Sequence, residues 1–234
     1  VFYEIAKNFY QYSENETALQ DYLKSWGFGS KTGIELSGES EGRVPTPEWK
    51  KKFNRDAPES QAWLPGDLSN LIIGQGDLLV TPLQICCGYA GLATGRVPKP
   101  VLLHSVISTD GTMTAVDGAR YQGSIIQPEF DQKNIDIMRS GFRGVVENGS
   151  VSRVFEDMGI ATSGKTGTGE VAGKDDYGWY VGYGPTDAPE YVCVCCIEEG
   201  GSGATCAAPA VRSVLAAAFG LSAEHVSGSA TEER

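Results

Sequence analysis

The last third of the chain sets the strongest limit on what it can fold into. Residues 160–171, 178–183 and 191–198 are short β-like runs, parted by the turn-forming stretches 173–176 and 185–189. Connections this short join antiparallel neighbours, because parallel strands need a crossover of about a dozen residues or more. The run Val192-Cys193-Val194-Cys195-Cys196-Ile197 is apolar throughout, which predicts a strand covered on both faces. One cover is visible in the sequence: Val211, Val214, Leu215, Ala218 and Phe219 form a stripe at helical spacing, closed by Gly220. A meander with a helix packed on it makes the expected fold class α+β, an antiparallel β-sheet with packed helices.

Upstream, helical signals dominate. Phe2, Ile5 and Phe9 recur at helical spacing; Leu19, Tyr22, Leu23 and Trp26 mark a second helix, with Gly27 placed as its C-terminal cap. Residues 28–68 read as a long irregular region whose one strand-like piece is Gly33-Ile34-Glu35-Leu36. Thr81-Pro82 then gives a helix start, Thr as N-cap and Pro in the first turn. The helix it opens is apolar nearly all round, so it is expected to be buried. Residues 101–108 and 113–116 read as strands around an Asp110-Gly111 turn, and Ile135, Met138, Phe142 and Val145 as one more amphipathic helix. Residues 1–221 are expected to belong to a single domain and 222–234 to form a polar, disordered tail.

The formal net charge of −11 argues against a nucleic-acid or anionic-membrane surface, which would need basic patches. The six cysteines, at 86, 87, 193, 195, 196 and 206, match no zinc spacing and read as small buried hydrophobes, with one disulfide as the alternative. No metal or cofactor is expected. His104 and His225 stand without a carboxylate or cysteine at ligand spacing. Trp179 is expected in the core, and Asp175-Asp176 and Glu198-Glu199 as solvated turn residues.

The candidate chemistry lies in Ser163-Gly164-Lys165-Thr166-Gly167-Thr168-Gly169 at the start of the meander. Glycine weakens strand pairing and is retained where another group must come close. Alternation puts Lys165 and Gly167 on one face and Thr166 and Thr168 on the other. A cation, hydroxyls and backbone N–H groups on one strand suit an anionic substrate with a reactive carbonyl. The bland alternative is a glycine-rich edge with a solvated lysine. A second copy, Lys31-Thr32-Gly33, has no meander behind it and reads as a turn; Ser13-Glu14-Asn15, between two helices, reads as capping residues.

Further stretches lift the first copy above chance. They are 28–39, then Ile73-Gly74-Gln75-Gly76-Asp77 running through Thr81-Pro82-Leu83-Gln84, then Gly178-Trp179-Tyr180-Val181-Gly182-Tyr183-Gly184-Pro185, and Ala207-Ala208-Pro209. Together with 164–168, in this order and spacing, they resemble the transpeptidase domain of class B penicillin-binding proteins, most closely the elongation type. The resemblance implies a penicillin-binding, serine β-lactamase-like fold with its N-terminal part missing. That family works with Ser-x-x-Lys, Ser-x-Asn and Lys-Thr-Gly, yet no serine here has lysine three places on. The nucleophile and the second motif are therefore expected upstream of Val1, and the chain alone is expected to be inactive.

What the resemblance implies for the site is specific. Lys165 would set the field at the nucleophile, and Thr166 and Thr168 would hold the substrate carboxylate. The strand around Gly167 would contribute to substrate binding, and the Thr168 N–H would be half of the oxyanion hole. The implied partners are a peptidoglycan stem peptide ending in D-Ala-D-Ala, β-lactam antibiotics and the cell-wall synthesis machinery. The implied location is the extracytoplasmic face of the membrane, through an anchor upstream. A β-lactam sensor domain and a serine β-lactamase are the rival readings.

Overall fold

The computed structural model describes residues 1–115 and 126–222. All of the tail except Ser222, His225 within it, and the end of the 113–116 run at Val116 lie outside the described residues. The chain divides into two compact units: residues 1–84 with 99–126, and residues 85–98 with 127–234.

The first unit opens with helices α1 (Phe2–Tyr12) and α2 (Ala18–Ser25). In α1, Ala6 is fully buried and Phe9 packs beside it, whereas Phe2 and Ile5 stand exposed, so the apolar stripe is only partly used. Phe9, Leu19 and Leu23 close on Leu68 and Leu71 of α4 (Pro65–Ile72). Gly27 takes φ +89° after α2, the left-handed turn that ends many helices. The region 28–68 is less irregular than expected, because it holds α3 (Pro47–Phe53), a short 3₁₀ turn (Pro58–Ser60) and the start of α4. The strand expected at 33–36 is absent, and a loop closed by Glu39 takes its place. A small hairpin, β1 (Ser105–Ile107) with β2 (Met113–Ala115), turns at Asp110-Gly111 as expected, while 101–104 with His104 stay outside it as exposed coil.

Helix α5 (Pro82–Thr94) starts where Thr81-Pro82 placed it. The Thr81 hydroxyl accepts from the Gln84 N–H at 3.1 Å, and the Gln84 carboxamide oxygen accepts from the Thr81 N–H at 2.9 Å. This reciprocal box satisfies two donors that a helix start leaves without partners. The Gln84 amide group also donates to the carbonyls of Ser30 (2.8 Å) and Glu41 (2.9 Å), so a side chain only 3% exposed ties the start of α5 to the preceding loop.

The second unit is the expected meander. Strands β3 (Ser163–Gly169), β4 (Tyr177–Gly184) and β5 (Tyr191–Ile197) pair antiparallel in the order β3-β4-β5. Helix α8 (Ala207–Ala218) lies on β4 and β5, while α6 (Gln132–Glu147) packs on β3; the short α7 (Ser152–Phe155) touches both helices. The core gathers Val151, Phe155, Met158, Tyr180, Ala207, Ala208, Val211 and Leu215. On α8 the stripe departs from expectation, because Val214 is exposed while Arg212 is buried. β5 is an outer strand of this sheet and its cysteines are half-buried, so the coverage expected on both faces is incomplete. Cys86, Cys193, Cys195, Cys196 and Cys206 are free thiols.

Candidate functional site

Strand β3 carries the expected site residues on an outer strand. Its register sets Lys165 opposite Val181, Thr166 opposite Tyr180, Gly167 opposite Trp179 and Thr168 opposite Gly178. Directly opposed residues share a face, so Lys165 and Gly167 lie on the Trp179 side and Thr166 and Thr168 on the Tyr180 side. Lys165 and Thr168 are exposed, and Thr166 and Gly167 are half-buried.

The glycines of this strand make room for two aromatic side chains of β4. A side-chain carbon on Gly164 would collide with the Tyr180 hydroxyl and lie 2.5 Å from the Val181 carbonyl oxygen. On the other face, carbons added at Gly167 and Gly169 would meet Trp179, at 3.2 Å from its Cβ and 3.5 Å from its Nε1. Trp179 is accordingly half-buried along β3 and not a core residue. Tyr180 is fully buried, with its ring 5.4 Å from that of Phe155 and, among the described residues, no hydrogen-bond partner for its hydroxyl. Burial raises that hydroxyl far above the ordinary phenol range, so it stays protonated.

A loop the sequence did not single out fixes which way the β3 backbone faces. A carbon on Gly203 would collide with the Trp179 carbonyl oxygen and come within 2.6 Å of the Gly167 carbonyl oxygen. Two carbonyls that converge on one point beside the sheet both lie in the gap between β3 and β4. In an antiparallel ladder the N–H and C=O of one residue point the same way and those of the next residue the opposite way. The Thr166 carbonyl and the Thr168 N–H therefore point to the outer edge of β3. The Lys165 ammonium donates to that Thr166 carbonyl at 2.9 Å, which puts the cation on the same edge.

The 198–203 loop is held on several sides. The Gly201 N–H donates to the Asp176 carbonyl at 2.8 Å. The Tyr177 hydroxyl donates to Glu198 at 3.3 Å, while Lys174 donates to Tyr177 at 2.9 Å and pairs with Glu199 at 3.8 Å. Glu198 and Glu199 are thus exposed, as expected, but engaged with the β3–β4 turn. At the opposite end of β3, the buried Ser163 hydroxyl meets the Thr186 hydroxyl at 3.0 Å.

The second Lys-Thr-Gly copy is a closed structure. The Glu39 carboxylate accepts from the Thr32 hydroxyl at 2.5 Å, the Thr32 N–H at 2.7 Å and the Gly33 N–H at 3.1 Å. Burial raises the Glu39 pKa, but these hydrogen bonds outweigh it and hold the carboxyl below its ordinary range. Asn15 acts as a turn-former, its side-chain oxygen accepting from the Thr17 N–H at 3.0 Å just before α2. Among the described residues, no group of three or more His, Cys, Asp or Glu is arranged to hold a metal ion. Among them, too, no helix is long and apolar enough to cross a membrane.

With this geometry in hand, the comparisons with known proteins are specific. Residues 1–216 match the family described as penicillin binding protein transpeptidase domain. The peptidoglycan D,D-transpeptidase MrdA of Haemophilus influenzae is 29% identical over 238 residues, covering 92% of this chain and 34% of that protein. Among solved structures, Pseudomonas aeruginosa PBP2 in complex with WCK 5153 matches at a TM-score of 0.74 and 30% identity, over 92% of this chain and 46% of that one. Helicobacter pylori PBP2, in its complex with MreC, matches at 0.75 and 26%, over 94% and 38%. The chain thus spans about a third of the length of the MrdA relative.

Proposed function

This chain belongs to the penicillin-binding protein transpeptidase family, and we propose that residues 1–221 are the C-terminal portion of the transpeptidase domain of an elongation-type peptidoglycan D,D-transpeptidase. The observation that carries this reading is the outer edge of β3, where the Lys165 ammonium, the Thr166 carbonyl and the Thr168 N–H face the same way. A stem peptide ending in D-Ala-D-Ala lies along that edge as an added strand, main chain to main chain. Its terminal carboxylate is gripped by the hydroxyls of Thr166 and Thr168, and Lys165 supplies the positive field. A serine carried upstream attacks the penultimate D-Ala carbonyl, the Thr168 N–H stabilises the resulting oxyanion, and the terminal D-Ala leaves as the amine. An amine of a neighbouring strand then takes the acyl group from the serine. β-Lactams acylate the same serine by ring opening.

The partners follow from the same reading: the stem peptide, β-lactams, and cell-wall synthesis proteins reached through the rest of the molecule. The site works on the extracytoplasmic face of the membrane, held there by an upstream anchor. A serine β-lactamase would need a positioned base to activate water against the acyl-enzyme; the run from Gly74 through Thr81-Pro82-Leu83-Gln84 and the likeness to the transpeptidase MrdA favour the transpeptidase reading. Fluorescent penicillin added to the full-length protein tests the reading. A stable adduct on a serine upstream of Val1, weakened by Lys165→Met, is the expected result. An adduct on any serine of residues 1–234 would overturn it.

A further inference from the structure

We propose that Gly203 is a positioning residue for the oxyanion site, setting the peptide that joins Gly167 to Thr168. This rests on the assignment of the Thr168 N–H as oxyanion donor. The Gly167 carbonyl and the Thr168 N–H belong to one planar peptide unit, so whatever fixes the carbonyl fixes the direction of the N–H. Gly203 lies against that carbonyl and against the Trp179 carbonyl beside it, with room for hydrogen and none for a side chain.

The loop that brings Gly203 there is tied at both ends. Upstream, Gly201 is bound to Asp176 in the β3–β4 turn, and Glu199 to Lys174. Downstream, the Gly203 carbonyl accepts from the Ala207 and Ala208 N–H groups at 3.2 and 2.9 Å, in the first turn of α8. The Ser202 carbonyl accepts from the Thr205 and Cys206 N–H groups at 3.0 and 3.1 Å and from the Thr205 hydroxyl at 3.0 Å. The start of α8 is thereby braced against the back of the peptide whose front faces the substrate edge. A shift of Gly203 rotates the donor without touching the Thr168 hydroxyl or the Lys165 ammonium, so acylation suffers while the grip on the ligand does not.

The test separates these two quantities in the full-length protein, by resolving the first-order acylation constant k2 from the binding constant K for benzylpenicillin, per titrated active site. Gly203→Ala is expected to lower k2 by about 10- to 100-fold, since a donor displaced by about 1 Å loses most of its effect, and to leave K unchanged. Gly220→Ala is the control: Gly220 has φ +67° and open space around it, just past the far end of α8. That variant strains the backbone and lowers the melting temperature without touching the 198–203 loop or Gly167, so k2 is expected to hold. Should Gly203→Ala not fold, Thr205→Val loosens the loop by one hydrogen bond and is expected to lower k2 by about 2- to 10-fold with K unchanged. Wild-type k2 in Gly203→Ala, or in Thr205→Val if it must stand in, overturns the proposal. A wild-type protein that benzylpenicillin does not acylate overturns instead the functional reading beneath it.

Discussion

Replacing Gly164 with alanine probes the packing that holds the candidate strand. The new methyl would collide with the Tyr180 hydroxyl, 2.7 Å from that ring's Cζ and 2.5 Å from the Val181 carbonyl oxygen. Carbon atoms need about 3.5 Å or more for favourable contact, so each neighbour must retreat by roughly 1 Å. Tyr180 cannot swing aside, because it is fully buried against Phe155 and the first turns of α8. The Val181 carbonyl is main chain of the central strand and is no more mobile. The strain falls on β3, which must move outward and carry Lys165 and Thr168 with it. Overpacking of this kind costs about 1–3 kcal/mol. For a domain of this size that lowers the melting temperature by about 2–12 °C. Tyr180→Phe alone should be close to neutral, since the lost hydroxyl has no partner. The double variant should remain below wild type, because the contacts with Cζ and Val181 survive. The assay is thermal melting of the transpeptidase domain in the full-length protein, with penicillin acylation measured alongside. A Gly164→Ala protein that melts within about 1 °C of wild type would refute the reasoning, since even the smallest expected strain exceeds that.

Four further outcomes are expected. Thr168→Val should slow benzylpenicillin acylation of the full-length protein by about 10- to 150-fold, the loss of one charge-assisted hydrogen bond, while Thr168→Ser stays mild and neither shifts the melting temperature. Gln84→Ala should lower stability by about 2–4 kcal/mol in denaturant titration, since it strips partners from the Thr81 N–H and from two carbonyls. Glu39 has a depressed pKa in the folded chain, so its stabilisation is complete above the ordinary carboxylate range and fades as pH falls through the lowered value. Glu39→Gln should therefore melt lower than wild type at neutral pH, with the two curves converging in acid. Burial raises the thiols of Cys86, Cys193, Cys195 and Cys196, so alkylation of the native protein should be slow at neutral pH and quicken only above the usual thiol range.

Much of this was legible because local signals and tertiary context agree. The meander announced itself through turn residues spaced too closely for any other pairing, and Thr81-Pro82 opened a helix where it stood. The same start signal stands at Thr46-Pro47, where the Thr46 hydroxyl accepts from the Trp49 N–H at 3.1 Å in the same manner. Gly, Pro and Ser around it masked a helix of only seven residues. Burial was harder to read than periodicity. Phe2, Ile5 and Val214 fit their stripes but face solvent, while Arg212, which no hydrophobic pattern selects, is 4% exposed. The role of the 198–203 loop is illegible in the sequence for a different reason. Its glycines look like linker residues, and the role of Gly203 depends on the carbonyls of Trp179 and Gly167, 24 and 36 positions earlier in the chain.

The two Lys-Thr-Gly copies show why the tripeptide needs its setting. At 32–33 the threonine hydroxyl and two successive N–H groups converge on a carboxylate, and the chain supplies that carboxylate itself from Glu39. The donor chemistry is thus suited to gripping an anion wherever the backbone curls around it. On β3 the backbone is extended, so neighbouring N–H groups point in opposite directions and cannot converge in this way. An anion there has to be held by side chains and by every second backbone group along one edge. The hydroxyls of Thr166 and Thr168 fall two residues apart on one face, and the Thr168 N–H joins them from the edge. Lys165, on the other face, reaches the edge through its long stem to the Thr166 carbonyl. The curled copy encloses one carboxylate; on the function proposed above, the extended copy at an open edge would take a peptide and read its carboxylate and its carbonyl at separate places. Only the second arrangement leaves the carbonyl exposed to a nucleophile, which is the property an acyl-transfer site requires.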